Sequence, residues 1–248
     1  LHNKGKYISM ISRNQFKLIQ SLSKKKYRQN HELFVVEGVK GVQEFLKSSF
    51  LLHSLYTTDP LIFDSSNDVI VINDDTLKKI STLKTPNKVV AIFKMPKPKP
   101  IKEEKLIVAL DAVNDPGNLG TIIRLCDWFG IQELVCSQQT VDCYNTKVVQ
   151  ATMGSLTRVN INYVDLPEFL LQTQLVVFGT YMDGDNIYNS ALPESGVLVM
   201  GNEANGISDT VSKIVTSRLA IPRFGDLKST ESLNVATATA ILLSEFKR

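Results

Sequence analysis

The chain has 248 residues, 43% hydrophobic and 21% charged, with a formal net charge of +3 and three cysteines. That composition supports a folded core in one large or two ordinary domains and excludes wholesale disorder. No apolar run approaches the roughly 20 residues of a membrane span, and the odd, unpatterned set Cys126, Cys136 and Cys143 argues against a disulfide framework or a zinc site and for a reduced, cytoplasmic setting.

The start lacks the apolar stretch of a signal peptide, and Met10 is read as a candidate native start that leaves Leu1–Ser9 as a leftover. No acidic residue precedes Glu32, whereas Lys4, Lys6, Arg13, Lys17, Lys24, Lys25, Lys26 and Arg28 all do. A segment of one sign is either a phosphate-binding surface or a solvated basic helix face. Phe16, Leu18, Ile19 and Leu22 have helical spacing within Asn14–Lys26. Phe34–Val36 reads as a short strand followed by Glu37-Gly38. Val39–Lys47 reads as a second helix with Val39, Val42, Phe45 and Leu46 inward. Val69–Ile72 and Val89–Phe93 are buried strands, and Asp74 or Asp75 can cap a helix between them through Ile80. Pro96, Pro98 and Pro100 then alternate with lysines, a composition that favours extended polyproline II. This divides the chain into a small α/β domain (10–95), a linker (96–105) and a second domain (106–248); the other reading is a long loop within one domain.

The second half alternates strands and helices. Leu106–Leu110, Leu134–Cys136, Leu175–Phe178, Val197–Met200 and Leu219–Ile221 are apolar runs of strand length. The pattern predicts an α/β fold with a parallel sheet covered on both faces and ligands at the carboxyl ends of its strands. The first loop runs from Asp111 through Pro116-Gly117 into a helix reaching Phe129, and Gly117 and Gly120 lack the dinucleotide-binding spacing. Arg124 on that helix either holds a phosphate or developing oxyanion or is a surface arginine. The second loop, Gly201–Ile207, is rich in hydrogen-bonding groups or is an ordinary turn with Asn205 and Gly206 left-handed. The third follows Ile221-Pro222 and enters a helix over Val235–Phe246, with Ser232 a candidate N-cap. The small residues Ala236–Ala240 suit an interior or a subunit interface.

Together these loops resemble the three motifs of the SpoU (TrmH-like) branch of the SPOUT RNA methyltransferases. The first motif is matched by Asn114-Asp-Pro-Gly-Asn-Leu-Gly-Thr-Ile-Ile-Arg124, the second by Val199-Met-Gly-Asn-Glu203 through Gly206, and the third by Ile221-Pro222 and Glu231-Ser-Leu-Asn-Val235. Arg28 and Phe34-Val-Val-Glu-Gly38 resemble the family's RNA-substrate-binding domain, so the likeness spans nearly the whole chain. The third motif departs by extra residues, Gly225–Thr230, and the second by Ala204 where glycine is frequent.

The resemblance implies a trefoil-knotted catalytic domain, although general topology rules weigh against knots. It also implies an L30e-like N-terminal domain, a homodimer, and S-adenosylmethionine as cofactor near Thr180, Gly201, Ile221 and Leu233. The reaction implied is methyl transfer to a ribose 2′-hydroxyl of structured RNA, with ribosomal RNA favoured over transfer RNA. Arg124 would act at the hydroxyl as an electrostatic clamp on phosphate and oxyanion, and Asn114, Glu203, Ser232 and Asn234 would orient it, the ribose and the cofactor. Lys24, Lys25, Lys26 and Arg28 would contact RNA phosphates, and the chemistry needs no metal. His2, His31 and His53 all lie outside the catalytic half. Three rivals stay open: a non-catalytic RNA-binding protein that retains the fold, a Rossmann-type nucleotide enzyme whose glycine pattern is missing, and a relative that methylates a base nitrogen.

Overall fold

The computed structural model describes residues 11–63, 68–225 and 232–248. Contacts divide the chain into two units, Leu1–Lys97 with Tyr144–Thr157, and Pro98–Cys143 with Arg158–Arg248.

The first unit begins with α1 (Arg13–Ser21), which opens in a reciprocal cap. The Ser12 hydroxyl accepts from the Gln15 N–H and the Gln15 side chain accepts from the Ser12 N–H. The single helix expected over Asn14–Lys26 is in fact two, because the chain turns after Leu22 and restarts as α2 (Lys25–His31). Arg28 is the physical reason. It is 2% exposed, and its Nη1 donates to the carbonyls of Leu22 at 2.8 Å and Ser23 at 2.9 Å. These are carbonyls that the end of α1 leaves open. The expectation that Arg28 contacts RNA phosphate is therefore corrected: a buried guanidinium committed to its own backbone does not reach a surface ligand. Lys24, Lys25 and Lys26 are exposed.

There follow β1 (Leu33–Glu37), α3 (Val39–Leu46), β2 (Leu52–Thr57), β3 (Val69–Val71), α4 (Asp74–Ile80) and β4 (Val89–Lys94). The strand β2 is an addition to the sequence expectation, and Asn73 rather than Asp74 or Asp75 caps α4, accepting from the Thr76 N–H at 2.9 Å. The strand order is β1-β4-β2-β3, parallel only between β2 and β3. Alternating residues separate two cores. Leu33, Val35, Val90 and Ile92 pack with Ile19 and Leu22 near α1 and with Leu77 and Ile80 of α4. Phe34 and Phe93 point the other way, onto Phe45 of α3, Phe50 and Tyr144, with Phe34 and Tyr144 centroids 4.7 Å apart. The motif residue Glu37 is buried and accepts from the Ser81 hydroxyl and the Thr82 N–H. Gly38 turns the chain from β1 into α3 at φ +86°, a left-handed conformation that glycine adopts without cost.

The second unit contains β5 (Leu106–Leu110), α5 (Pro116–Trp128) and β6 (Glu133–Ser137); α6 (Thr146–Thr152) comes next in sequence but packs in the first unit. Then come β7 (Asn160–Val164), α7 (Leu166–Gln172), β8 (Val177–Asn186), β9 (Gly196–Met200), α8 (Asp209–Ser212), β10 (Ser217–Ala220) and α9 (Val235–Phe246). The strands form a wholly parallel sheet in the order β10-β8-β9-β5-β6-β7. Ile107, Ala109, Val135, Val197 and Val199 face a core with Leu166 and Leu170 of α7 and Val211 of α8. The alternate residues face α5 and α9, which pack on each other, and Phe178 meets Phe246 edge-on at 5.3 Å. The predicted parallel sheet with two covered faces is therefore present. Two elements differ from expectation: β7 is new, and β8 runs on to Asn186 because β10 pairs along it through a bulge at Arg218/Leu219. The implied knot concerns the passage from β10 into α9, which includes residues 226–231, outside the described residues.

Candidate active site

The loops after β5 and β9 are locked together by hydrogen bonds at their bases. Asp111, 6% exposed, donates its N–H to the Met200 carbonyl and accepts from the Ser208 N–H at 2.7 Å. Ala112 takes a left-handed φ of +56°, a conformation that costs a residue with a Cβ about 1 kcal/mol. It is held there from both sides: its N–H donates to the Ser137 hydroxyl at 2.9 Å, and its carbonyl accepts from Asn202 Nδ2 at 2.7 Å.

Asn202 also shapes the second loop. Its side-chain oxygen accepts from the N–H groups of Ala204 and Asn205, and its backbone exchanges two 2.9 Å bonds with Gly206. The loop is so tight that a Cβ at Gly201 would lie 2.3 Å from the Gly206 carbonyl carbon. Gly201 is therefore demanded by loop closure itself. The tip carries Glu203 toward the start of α5. Its carboxylate accepts from the backbone N–H groups of Asn114 and Asp115, both at 3.3 Å, and from Asn118 Nδ2 at 2.9 Å.

The third loop joins through α9. Asn234, not Ser232, is the N-cap, accepting from the N–H groups of Ala236 and Thr237 at 3.0 and 3.2 Å. That fixes its amide orientation, so Nδ2 must donate, and it does so to Asn118 Oδ1 at 2.9 Å. Asn118 in turn must present Nδ2 to Glu203. A directed chain Asn234–Asn118–Glu203 thus ties the three loops together. Asp115 starts α5 by accepting from the Asn118 N–H at 2.8 Å, with Pro116 at the first helical position.

Partial burial works against the Glu203 charge. The hydrogen bonds from Asn118 and from the backbone N–H groups of Glu203, Asn114 and Asp115 outweigh it, and the carboxyl is held below its ordinary value.

The structure thus brings Glu203 and Asn234 together but uses Asn114 only through its backbone. Asn118, given no role from sequence, occupies the centre; its one signal was its place inside the first motif. Arg124 is exposed on α5, and no described side chain pairs with it. Ser232 is exposed beside the start of α9. Thr180 is half-buried and donates to the Val199 carbonyl at 3.1 Å. Ile221 is half-buried and Leu233 is 48% exposed. The latter two are apolar, the character a purine contact needs, and none of the four expected cofactor residues carries a charge. In donor set and polarity the residues fit S-adenosylmethionine. The extra residues of the third motif, apart from Gly225, lie outside the described residues.

Comparison with known proteins agrees with this geometry. Residues 105–244 match the model of the SpoU rRNA methylase family, and residues 13–91 match that of the MRM3-like substrate binding domain. A 23S rRNA (guanosine-2′-O)-methyltransferase of Bacillus subtilis is 30% identical, covering 96% of this chain and 98% of its own. The structure of a TrmH-family protein from Porphyromonas gingivalis superposes with a TM-score of 0.88 at 39% identity, covering 96% and 99% of the two chains. An AdoMet-bound rRNA methyltransferase from Sinorhizobium meliloti gives 0.84 at 29% identity, covering 96% of each chain. A parallel sheet whose carboxyl-edge loops are tied by these motif residues is that of a SPOUT-type methyltransferase, and the chain belongs to the SpoU rRNA methylase family. It is an S-adenosylmethionine-dependent RNA methyltransferase with an N-terminal substrate-binding domain.

Proposed function

We propose that the protein methylates a ribose 2′-hydroxyl of ribosomal RNA. The observation that carries this is the Asn234–Asn118–Glu203 chain, which holds the three motif loops around the start of the helix bearing Arg124. The near-full-length likeness to a 23S rRNA 2′-O-methyltransferase supports the choice of atom and of RNA.

A ribose hydroxyl is a weak nucleophile that must lose its proton as the new bond forms. The cofactor supplies an electrophilic methyl group and a neutral leaving group. The chain's part is to place the 2′-oxygen and stabilise its developing charge. Arg124 offers a planar, cationic fork of N–H donors and no acceptor. It clamps the adjoining phosphate and the oxyanion, and the 2′-proton leaves to water. Glu203, Asn118 and Asn234 fix the loops, with Ser232 beside them. Thr180, Gly201, Ile221 and Leu233 hold the cofactor.

The domains at 10–95 and 106–248, joined by 96–105, serve as RNA-binding and catalytic parts, with Lys24, Lys25 and Lys26 on phosphates. We infer a homodimer through the outer faces of α5 and α9, where Trp128 is 85% exposed and Thr237 and Ser244 lie at the surface. A cytoplasmic setting follows from the substrate.

The test is transfer from labelled S-adenosylmethionine to RNA from cells lacking this gene, with products digested to nucleosides. Label in a 2′-O-methyl nucleoside, lost in Arg124→Ala, is expected; label in a base would overturn the ribose assignment. Arg124→Lys should also lose most activity, because a lysine cannot reproduce the planar fork. Full activity in Arg124→Lys would remove the clamp. Cofactor binding without methylation of any RNA would favour a non-catalytic RNA-binding role.

A further inference from the structure

We propose that Phe224, backed by Tyr188, is a stacking platform for a base of the substrate RNA, and so a specificity-determining element beside the methylation site. The inference rests on the reading of the chain as an RNA methyltransferase and extends it to a place where the nucleic acid is held.

The two rings leave the sheet at adjoining points. β8 and β10 are parallel neighbours whose last paired residues are Asn186 and Ala220. Tyr188 follows Asn186 in the 3₁₀ turn Ile187–Asn189, and Phe224 lies in the loop that follows Ala220. Both therefore sit at the carboxyl edge, where such sheets bind ligands. The turn carrying Tyr188 packs on α9, the helix whose cap Asn234 belongs to the site network. Ring centroids are 6.3 Å apart with planes tilted by 33°, within the range of an interacting aromatic pair.

What the pair does not do is fill a core. Phe224 is 81% exposed, and Tyr188 only half-buried. A phenylalanine held in water against a second ring keeps a flat apolar face open. Loops that recognise single-stranded RNA use such faces to stack unpaired bases. Where the target ribose lies in a loop or bulge, a neighbouring unstacked base can be held by stacking on an aromatic ring. The platform is distinct from Ile221 and Leu233, the side chains placed on the cofactor.

The experiment compares wild type with Phe224→Ala, Phe224→Leu and Phe224→Trp on deproteinised large-subunit ribosomal RNA from cells lacking this gene. It measures kcat/KM for RNA, filter binding of the same RNA, the Kd for S-adenosylmethionine and the oligomeric state. Loss of one base–aromatic stack corresponds to about 5- to 150-fold. Phe224→Ala and Phe224→Leu should lose this in RNA binding and kcat/KM, Phe224→Trp should keep wild-type values, and Tyr188→Ala should lose less. Cofactor Kd and subunit assembly should stay within twofold of wild type. The proposal is overturned if Phe224→Ala binds RNA like wild type, if Phe224→Leu matches Phe224→Trp, if cofactor Kd weakens in step, or if the dimer dissociates. Failure of the ribose reading is separate: it appears as base label, or no label, in wild-type protein, while RNA binding by the variants still reads the stack.

Discussion

Asn114 and Asn118 share one loop, yet only Asn118 contributes its side chain to the tie between the three motifs. Asn118→Ala should therefore lower kcat/KM for RNA by about tenfold, the scale of losing a charge-assisted hydrogen bond, whereas Asn114→Ala should stay within about threefold because its backbone N–H survives. Labelled-methyl kinetics on both variants check this. The sequence identified the loop, but not which amide the helix turns inward. That depends on Asp115 and Pro116 setting the first turn of α5, so that Asn118 falls inside it and Asn114 before the cap. Glu203 gives a second residue-scale expectation. Its carboxyl is held below the ordinary glutamate value, so its contribution to stability is complete above that value and is lost as pH falls through the depressed one. Urea midpoints of wild type and Glu203→Gln should differ by a constant amount near neutrality, and the gap should close in acid below the ordinary glutamate range. A gap that persisted there would mean that the carboxylate charge is not what holds the loops.

At the scale of elements, α1 and α2 depend on one buried cation. Arg28→Met removes the donor to the Leu22 and Ser23 carbonyls and should destabilise the protein by about 2–4 kcal/mol in urea titrations, the cost of losing hydrogen bonds from a charged group. Lys25→Met, at an exposed neighbour, should change stability by no more than about 0.5 kcal/mol. The same element shows how far sequence patterns reach. Helical spacing marked Phe16–Leu22 correctly, but a guanidinium folding back on carbonyls six and five residues earlier has no periodic signature. Two strands carry no clear sequence pattern, for physical reasons as well. β2 carries the polar pair His53 and Ser54 directly after Leu52, and β7 alternates Asn160 and Asn162 with Ile161 and Tyr163, although asparagine is depleted in strands. Asn160 is accommodated by donating to Glu133 Oε2 at 2.7 Å on the neighbouring strand. The far half of β8 reads Asp183-Gly-Asp185, and an Arg218–Asp183 ion pair at 2.6 Å accompanies its pairing with β10. By contrast, α9 was legible to the residue, because its apolar spacing is unbroken from Val235 to Phe246.

For the molecule as a whole, the small net charge of +3 conceals an uneven distribution, with three adjacent lysines exposed at the start of α2. If these meet phosphates, replacing Lys24, Lys25 and Lys26 together with alanine should flatten the plot of log RNA affinity against log salt by about 2. The Kd for S-adenosylmethionine should not change. An unchanged slope would place the phosphate contacts elsewhere.

The inclusion of Tyr144–Thr157 in the first unit has a bearing on how the protein is made. Synthesis delivers β1 to β4 early, yet the aromatic cluster around Phe34 lacks Tyr144 until the ribosome has also produced β5, α5 and β6 of the other unit. The N-terminal part thus emerges as an unfinished layer with apolar rings uncovered, and its closure waits on chain that comes much later. A nascent polypeptide stalled in the proline–lysine linker should engage chaperones that release it once translation has passed residue 157.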